Sequence, residues 1–195
     1  MKTQSLDPKR RWSRRDGVVC WYALSTRARH EKQVDARLRE RGFEVYLPLM
    51  PSVRQWHDRK KVVQWPLFPG YVFARFAANK AARVLGTPGV ATVVRSNGHP
   101  AAISDEEIDN VRRFAAAVAE TGCIPEPAPY IEQGQQVRIV RGPFAGVEGL
   151  VLEYRGGERA IVQMGLRAIG QGLKVEVDAR SLKVVDGSRA AAAAK

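Results

Sequence analysis

The chain has 195 residues, 45% hydrophobic and 27% charged, which is a globular composition with room for one ordinary domain or two small ones. Its net charge of +12 favours a polyanionic partner, and its apolar runs are shorter than the roughly 20 residues that span a bilayer. The N-terminus lacks the apolar stretch of a secretory signal, and the cysteines and histidines lack metal-ligand or CxxC spacing, so we expect a cytoplasmic protein without metal, cofactor or redox dithiol.

Strands and helices alternate in the predicted elements up to about residue 122. Strands are predicted at 18–25, 43–49, 68–76 and 90–95 and as a hairpin within 52–65, and helices at 26–42, 79–89 and 104–120. Ser25 or Thr26 is expected to cap the first helix, Val34 and Leu38 share its buried face, and Gly42 ends it. This order predicts an α+β fold, in which an N-terminal α/β sandwich has a mainly antiparallel sheet with helices against it.

A proline-rich segment divides the chain. Three of residues 125–129 are proline, so we expect 123–131 to be an extended linker rather than a regular element. The alternation that follows predicts four to five short strands, typical of a small SH3-like barrel at 132–186. The domain before the linker is then 18–122. The remaining segments are predicted to be a flexible basic arm at 1–17 and a disordered tail at 187–195.

The positive charge is unevenly distributed. Residues 1–131 carry a net charge of +9, whereas residues 132–187 carry only +1. A basic domain is the electrostatic signature of nucleic-acid binding, so the sequence predicts such a surface before the linker and not after it.

Several motifs together resemble one protein family. WYAL at 21–24, FPGYVF at 68–73 and GTPGVATVVRSNGHPAAISDEEI at 86–108 resemble the N-terminal domain of NusG-type transcription elongation factors. VRIVRGPFAGVEGLV at 137–151 resembles the KOW motif of the same family. The resemblance covers about residues 18–186. It implies a monomer without membrane contact that binds the clamp helices of the largest RNA polymerase subunit and the non-template DNA strand, and that suppresses pausing or termination.

The aromatic segment around Phe68 raises the question whether its rings form core or a binding surface. Tyr71 and Phe73 share one face of the predicted strand, and Val72 and Ala74 share the other. The rings would pack under a helix of the same domain, or they would receive a partner helix as rigid aromatic contacts. The resemblance implies the second, with at least Tyr71 and Phe68 exposed. The residues it assigns to polymerase binding are Tyr22, Phe68, Pro69, Tyr71 and Phe73.

Two basic clusters are candidates for nucleic-acid contact. The first lies on and before the first helix and comprises Arg27, Arg29, Lys32, Arg37 and Arg41. The second lies at the hairpin tip and includes Arg59, Lys60 and Lys61, with tryptophans on the hairpin arms. Basic residues interleaved with aromatics are typical of single-strand binding, and the resemblance implies contact with the displaced strand. The alternatives are a solvated helix face and a charged tip that only favours solubility.

Within the family, RHEKQVDARLRERGFEVYLP looks more like the specialised, operon-type antiterminators than the housekeeping factor. LRAIGQGLKVEV at 166–177 replaces the short FGR-type turn of the housekeeping pattern, which leaves both Rho and a ribosomal protein open as partners of the KOW domain. A KOW-type ribosomal or RNA-binding protein is the main rival, although the nearly neutral barrel counts against it. We find no P-loop, GxSxG, HExxH or suitably spaced carboxylate pair, so the chain is not expected to be an enzyme.

Overall fold

The structure, a computed structural model, describes residues 17–56 and 59–185. Their backbone contacts divide into two compact units. Of the described residues, the first unit contains 17–47 and 68–105, and the second contains 48–56, 59–67 and 106–185. Apart from Gly17, the predicted arm lies outside the described residues, and so does the predicted tail at 187–195.

A five-stranded antiparallel sheet forms the centre of the first unit. The elements of this unit are β1 (Val19–Thr26), α1 (Glu31–Glu40), β2 (Glu44–Tyr46), β5 (Tyr71–Ala77), α2 (Ala81–Leu85), β6 (Val90–Val93), β7 (Arg95–Ser96), β8 (His99–Pro100) and β9 (Ala102–Ile103). The main sheet has the order β2-β5-β1-β6, and β9 also pairs with β1. The aromatic segment therefore lies in an interior strand, as its apolar composition predicts.

Both helices of the first unit pack with the sheet. α1 contacts β2 and β5, and α2 contacts β6. The core between them consists of Tyr22, Leu24, Val34, Leu38, Phe43, Val45, Val72, Ala74, Phe76, Ala81, Val84 and Val93. Val34 and Leu38 are four residues apart, so they share one face of α1 and are both fully buried, as predicted. The prediction of an α+β fold with a mainly antiparallel sheet is confirmed.

α1 begins five residues later than predicted. Thr26 belongs to β1, and Arg29 has a left-handed φ of 64°, which is incompatible with a right-handed helix. The residue before the helix is His30, whose side chain makes no capping hydrogen bond, so the predicted cap by Ser25 or Thr26 is wrong. Gly42 follows the helix at φ 80°, where glycine is favoured, and the predicted end is confirmed.

The second unit contains a hairpin, a long helix and a second sheet. Its elements are β3 (Leu49–Trp56), β4 (Arg59–Pro66), α3 (Asp105–Thr121, whose first residue belongs to the first unit), β10 (Glu126–Pro129), β11 (Gln135–Ile139), β12 (Glu148–Arg155), β13 (Arg159–Leu166), β14 (Gln171–Asp178) and β15 (Leu182–Val184). β3 and β4 form the predicted hairpin, with Leu49 opposite Pro66. The second sheet is antiparallel, in the order β10-β14-β13-β12-β11-β15.

One strand of the second sheet comes from the predicted linker. β10 pairs with β14, so residues 126–129 form a regular element, and the prediction that they do not is wrong. The side chain of Gln163, which is 3% exposed, holds this segment at two points. Its Nε2 donates to the carbonyl of Pro129 at 2.7 Å, and its Oε1 accepts from the amide of Ile131 at 3.2 Å. Two prolines leave β10 few backbone donors, so the hydrogen bonds of the buried glutamine add to a weak backbone pairing.

Within the second unit, α3 packs against the sheet through polar and aromatic contacts. The side-chain amide of Asn110 donates to the carbonyl of Glu148 at 2.8 Å, and its oxygen accepts from the amide of Glu148 at 2.7 Å. The rings of Phe114 and Phe144 lie 5.5 Å apart. Ile108, Val111 and Ala115 are buried on α3, as its predicted periodicity requires.

Candidate functional site

The aromatic segment enters β5 through a tight turn at 68–71, which we call the FPGY turn. Phe68 and Phe73 are 1% and 0% exposed, and their rings meet edge to face with centroids 6.1 Å apart. The expected exposure of Phe68 is therefore wrong, because its ring fills the core against Phe73. Pro69 is exposed and Tyr71 is half-buried, so these two side chains form the accessible part of the turn.

Tyr22 faces the opposite side of the sheet from Phe73. It lies opposite Ala74 in the β1–β5 register, and paired residues of antiparallel strands project from the same face. Its ring centroid is 4.8 Å from that of Phe76, and it is 3% exposed in the core under the helices. Tyr22 therefore cannot share an exposed patch with Tyr71, which corrects its predicted place in the polymerase surface.

The backbone of Gly70 is held at both its amide and its carbonyl. Its amide donates to the Oε1 of Glu31 at 2.8 Å, and its carbonyl accepts from the amide of Thr26 at 2.8 Å. Gly70 has a φ of 84°, a left-handed conformation that favours glycine. The end of β1 and the start of α1 thus fix the conformation of the FPGY turn.

Three basic side chains at the start of α1 are free to bind a ligand. The side chains of Arg27, Arg29 and Lys32 are exposed and make no hydrogen bond or ion pair with the part of the chain that the structure describes. We call them the α1 basic cluster. The amide of Arg27 donates to the carbonyl of Gly89 at 2.9 Å, which anchors the backbone of the cluster to the turn before β6. The cluster therefore presents exposed cationic ends on a backbone that is anchored at Arg27.

Arg37 and Arg41, in contrast, bind the protein itself. Arg37 donates to the carbonyl of Pro88 at 2.8 Å. Arg41 donates to the carbonyl of Arg83 at 2.8 Å and to the hydroxyl of Thr87 at 2.9 Å, and Arg83 donates back to the carbonyl of Arg41 at 3.4 Å. These contacts join the end of α1 to the α2–β6 loop. In the predicted cluster on the helix, the side chains of Arg27, Arg29 and Lys32 are therefore unpaired within the described residues. Those of Arg37 and Arg41 stabilise the fold.

The second predicted basic cluster cannot be compared in the same way, because the side chains of Arg59, Lys60 and Lys61 lie outside the described residues. Among the residues that are described, no group of histidine, cysteine, aspartate or glutamate is arranged to hold a metal ion. None of the helices in the described ranges is long and apolar enough to cross a membrane.

The sequence did not single out Glu31, although this residue is central to the site. It is 7% exposed, and within the described ranges it has no cationic partner. A carboxylate at the first position of a helix is usually explained by its favourable interaction with the helix dipole. This position in the sequence does not indicate a contact with a residue 39 positions away. Only the pairing of β1 with β5 brings the FPGY turn to this carboxylate.

Comparison with known proteins reveals a family that matches this sequence. The family model described as "Transcription termination factor nusG" matches residues 19–112. The "Transcription termination/antitermination protein NusG" of Thermus thermophilus is 30% identical over 175 residues, covering 81% of this chain and 94% of the relative. The chain belongs to the NusG family. The NusG protein of Pseudomonas aeruginosa is also 30% identical over 170 residues, and the match covers 81% of this chain and 94% of that relative.

Among solved structures, the one titled "Domain interaction in Thermotoga maritima NusG" has 22% sequence identity and a TM-score of 0.48, and it covers 87% of this chain and 98% of that one. NusG-family proteins are transcription factors and not enzymes, which confirms the prediction that the chain is not an enzyme. The chain is accordingly a transcription termination/antitermination factor of the NusG family.

Proposed function

We propose that the chain is an elongation and antitermination factor that binds the clamp helices of RNA polymerase with the FPGY turn and the non-template DNA strand with the α1 basic cluster. The observation that carries this proposal is the adjacency of the two surfaces. Pro69 and Tyr71 are accessible on the turn, and one residue of that turn is hydrogen-bonded to the first residue of α1.

The polymerase surface is smaller than the sequence predicts. We assign direct contact to Pro69 and Tyr71, and we assign Phe68 and Phe73 the role of supporting the turn from the core. Tyrosine is favoured at binding hot spots because it offers a large rigid surface at a low cost in conformational entropy. Tyr22 belongs to the opposite face and supports only the sheet.

The nucleic-acid surface is assigned to Arg27, Arg29 and Lys32, with Arg59, Lys60 and Lys61 of the hairpin as a second contact. The free cations of the first group are suited to the phosphates of a single strand, and each phosphate contact makes binding weaker as the salt concentration rises. We expect the factor to act as a monomer in the cytoplasm, where RNA polymerase works.

We favour a specialised operon-type role, based on the α1 sequence and on the segment at 166–177. In the structure, Arg167–Ile169 form a 3₁₀ turn that ends at Gly170 with φ 64°, between β13 and β14. Housekeeping function, with Rho or a ribosomal protein bound to an SH3-like KOW barrel at 132–186, is the second candidate. It is favoured by the relatives, which are named as termination and antitermination proteins.

The test is binding of the full chain to a stalled elongation complex assembled with and without an exposed non-template strand. We expect Tyr71→Ala to lower the affinity by at least about tenfold, as for an interface hot spot. Arg29→Ala should lower it only when the strand is present. Tyr154→Ala and Arg141→Ala are matched controls, since both side chains are exposed on the second unit.

The dependence on the strand separates the two candidates. Binding that requires one strand sequence supports the operon-type role, whereas binding to every strand, together with enhanced Rho-dependent release, supports the housekeeping role. If the chain fails to bind the complex with or without the strand, the proposal is wrong.

A further inference from the structure

We infer that Glu31 is a positioning residue that couples the two proposed surfaces, so that binding of the DNA strand at the α1 basic cluster strengthens binding of polymerase at the FPGY turn. This inference rests on the proposed function and adds to it a specific route between the surfaces. The route consists of the carboxylate of Glu31, the amide and carbonyl of Gly70, and the backbone amide of Thr26.

The burial of Glu31 needs an explanation beyond helix stability. An exposed carboxylate at the first position of α1 would complement the helix dipole equally well, without the desolvation that burial of a charge entails. Glu31 is nevertheless 7% exposed, and no basic side chain in the described ranges pairs with it. The contact that burial makes possible is the 2.8 Å hydrogen bond from the amide of Gly70, which is strengthened by the carboxylate charge.

The hydrogen bond between Glu31 and Gly70 lies between the α1 basic cluster and the FPGY turn. Thr26 and Glu31 flank the loop that carries Arg27 and Arg29. Both flanking residues bind the backbone of Gly70, Glu31 at its amide and Thr26 at its carbonyl. Tyr71, the accessible aromatic residue, follows Gly70 directly and lies opposite Ser25 in the β1–β5 register. A shift of the loop at 27–30 is therefore transmitted to the FPGY turn through two short contacts.

The loop has the strain that such coupling requires. Arg29 is held at a φ of 64°, a conformation that is uncommon for residues other than glycine, asparagine and aspartate. His30, the residue before α1, provides no side-chain cap, so the first amides of the helix depend on other partners. Phosphates that bind Arg27 and Arg29 would stabilise one arrangement of this loop and, through Glu31, one arrangement of the turn. By linkage, polymerase bound at the turn would favour the strand by the same factor.

The experiment measures the coupling factor, defined as the affinity for a reconstituted elongation complex with an exposed non-template strand divided by the affinity without it. For the wild-type full chain we expect a factor of at least about 5, the lower end of ordinary allosteric coupling. Glu31→Ala removes the acceptor and should lower the factor to the value that the direct strand contact gives without the coupling. Glu31→Gln keeps an acceptor oxygen for the amide of Gly70 and should retain most of it.

Glu40→Ala is the matched control, because it removes an exposed carboxylate from the same helix. A purely structural role of Glu31 would lower affinity equally with and without the strand and leave the factor unchanged. Amide exchange provides an independent readout. We expect the Gly70 amide to exchange at least about tenfold faster in Glu31→Ala, since it loses a hydrogen bond to a charged group. Circular dichroism establishes that each variant is folded.

The outcomes separate the inference from the function on which it rests. If the wild type binds the complex and Glu31→Ala keeps the wild-type factor, the coupling role of Glu31 is overturned and the proposed function stands. A wild-type factor of one overturns both the coupling and the proposed strand contact, and leaves only the proposed polymerase contact standing. If the wild type does not bind the complex at all, the proposed function fails, and the inference fails with it.

Discussion

Replacement of Phe73 by alanine tests whether the aromatic rings of β5 are core or binding surface. Phe73 is 0% exposed, and its ring packs edge to face on that of Phe68. Truncation of a fully buried phenylalanine costs about 3–5 kcal/mol, from lost apolar burial and the cavity left behind. Tyr71→Ala, two residues away on the same strand and half-buried, should cost about 1 kcal/mol.

The assay is urea unfolding of the full chain followed by circular dichroism, with the change read at a constant m-value. A double-mutant cycle with Phe68→Ala should give a coupling of about 0.5–1.5 kcal/mol for the edge-to-face pair. Surface substitutions usually change stability by about 0.5 kcal/mol or less. A loss below about 1 kcal/mol for Phe73→Ala would mean that the ring is not in the core, and the argument from burial would be refuted.

Three further substitutions probe other parts of the fold. Gly172→Ala would place a Cβ 2.4 Å from the Nε2 of Gln163, so we expect it to displace that side-chain amide and release β10. The loss of two hydrogen bonds should lower the free energy of unfolding by about 2 kcal/mol, and faster amide exchange across 126–131 would detect it. Arg41→Ala removes two charged hydrogen bonds to the α2–β6 loop and should cost about 1 kcal/mol in urea unfolding, while a ligand-binding role alone would leave stability unchanged. The pKa of Asp178 is lowered because the backbone amide of Arg180 donates to its carboxylate. The ionised Asp178 therefore stabilises the fold at pH values above its pKa in the unfolded chain, and this stabilisation is lost as the pH falls through its lower pKa in the folded chain. Asp178→Asn should make the free energy of unfolding less dependent on pH over that acid range.

The sequence predicted those features that depend on local periodicity. The spacing of Val34 and Leu38 placed the buried face of α1, because an α-helix returns to the same side every three to four residues. Alternation with a period of two residues placed Tyr71 and Phe73 on one face of β5, because successive side chains of a strand point to opposite faces. The hairpin, the long third helix and the antiparallel sheet were predicted from such patterns, and the order of motifs identified the family.

Periodicity says which residues share a face, but it does not say what covers that face. The pattern alone left Phe68 and Phe73 open as core or binding patch, and the family resemblance favoured the patch. The tertiary structure buries both rings in the core. Tyr22 was assigned to the wrong side because its orientation depends on its register with Ala74. In the same way, the prolines at 125–129 indicated an extended segment, and only Gln163, more than 30 residues away, decided that this segment joins the sheet.

The sequence by itself therefore determined the family, most of the helices and strands, and the concentration of positive charge in the first 131 residues. Tertiary structure alone decided which of those charges are free. Arg37 and Arg41 fall on the same helix as Lys32, yet carbonyl groups about 42–51 positions away bind the two arginines and leave the lysine unpaired. The same long-range pairing brought Glu31 to Gly70, because strand register sets the distance between residues that are far apart along the chain.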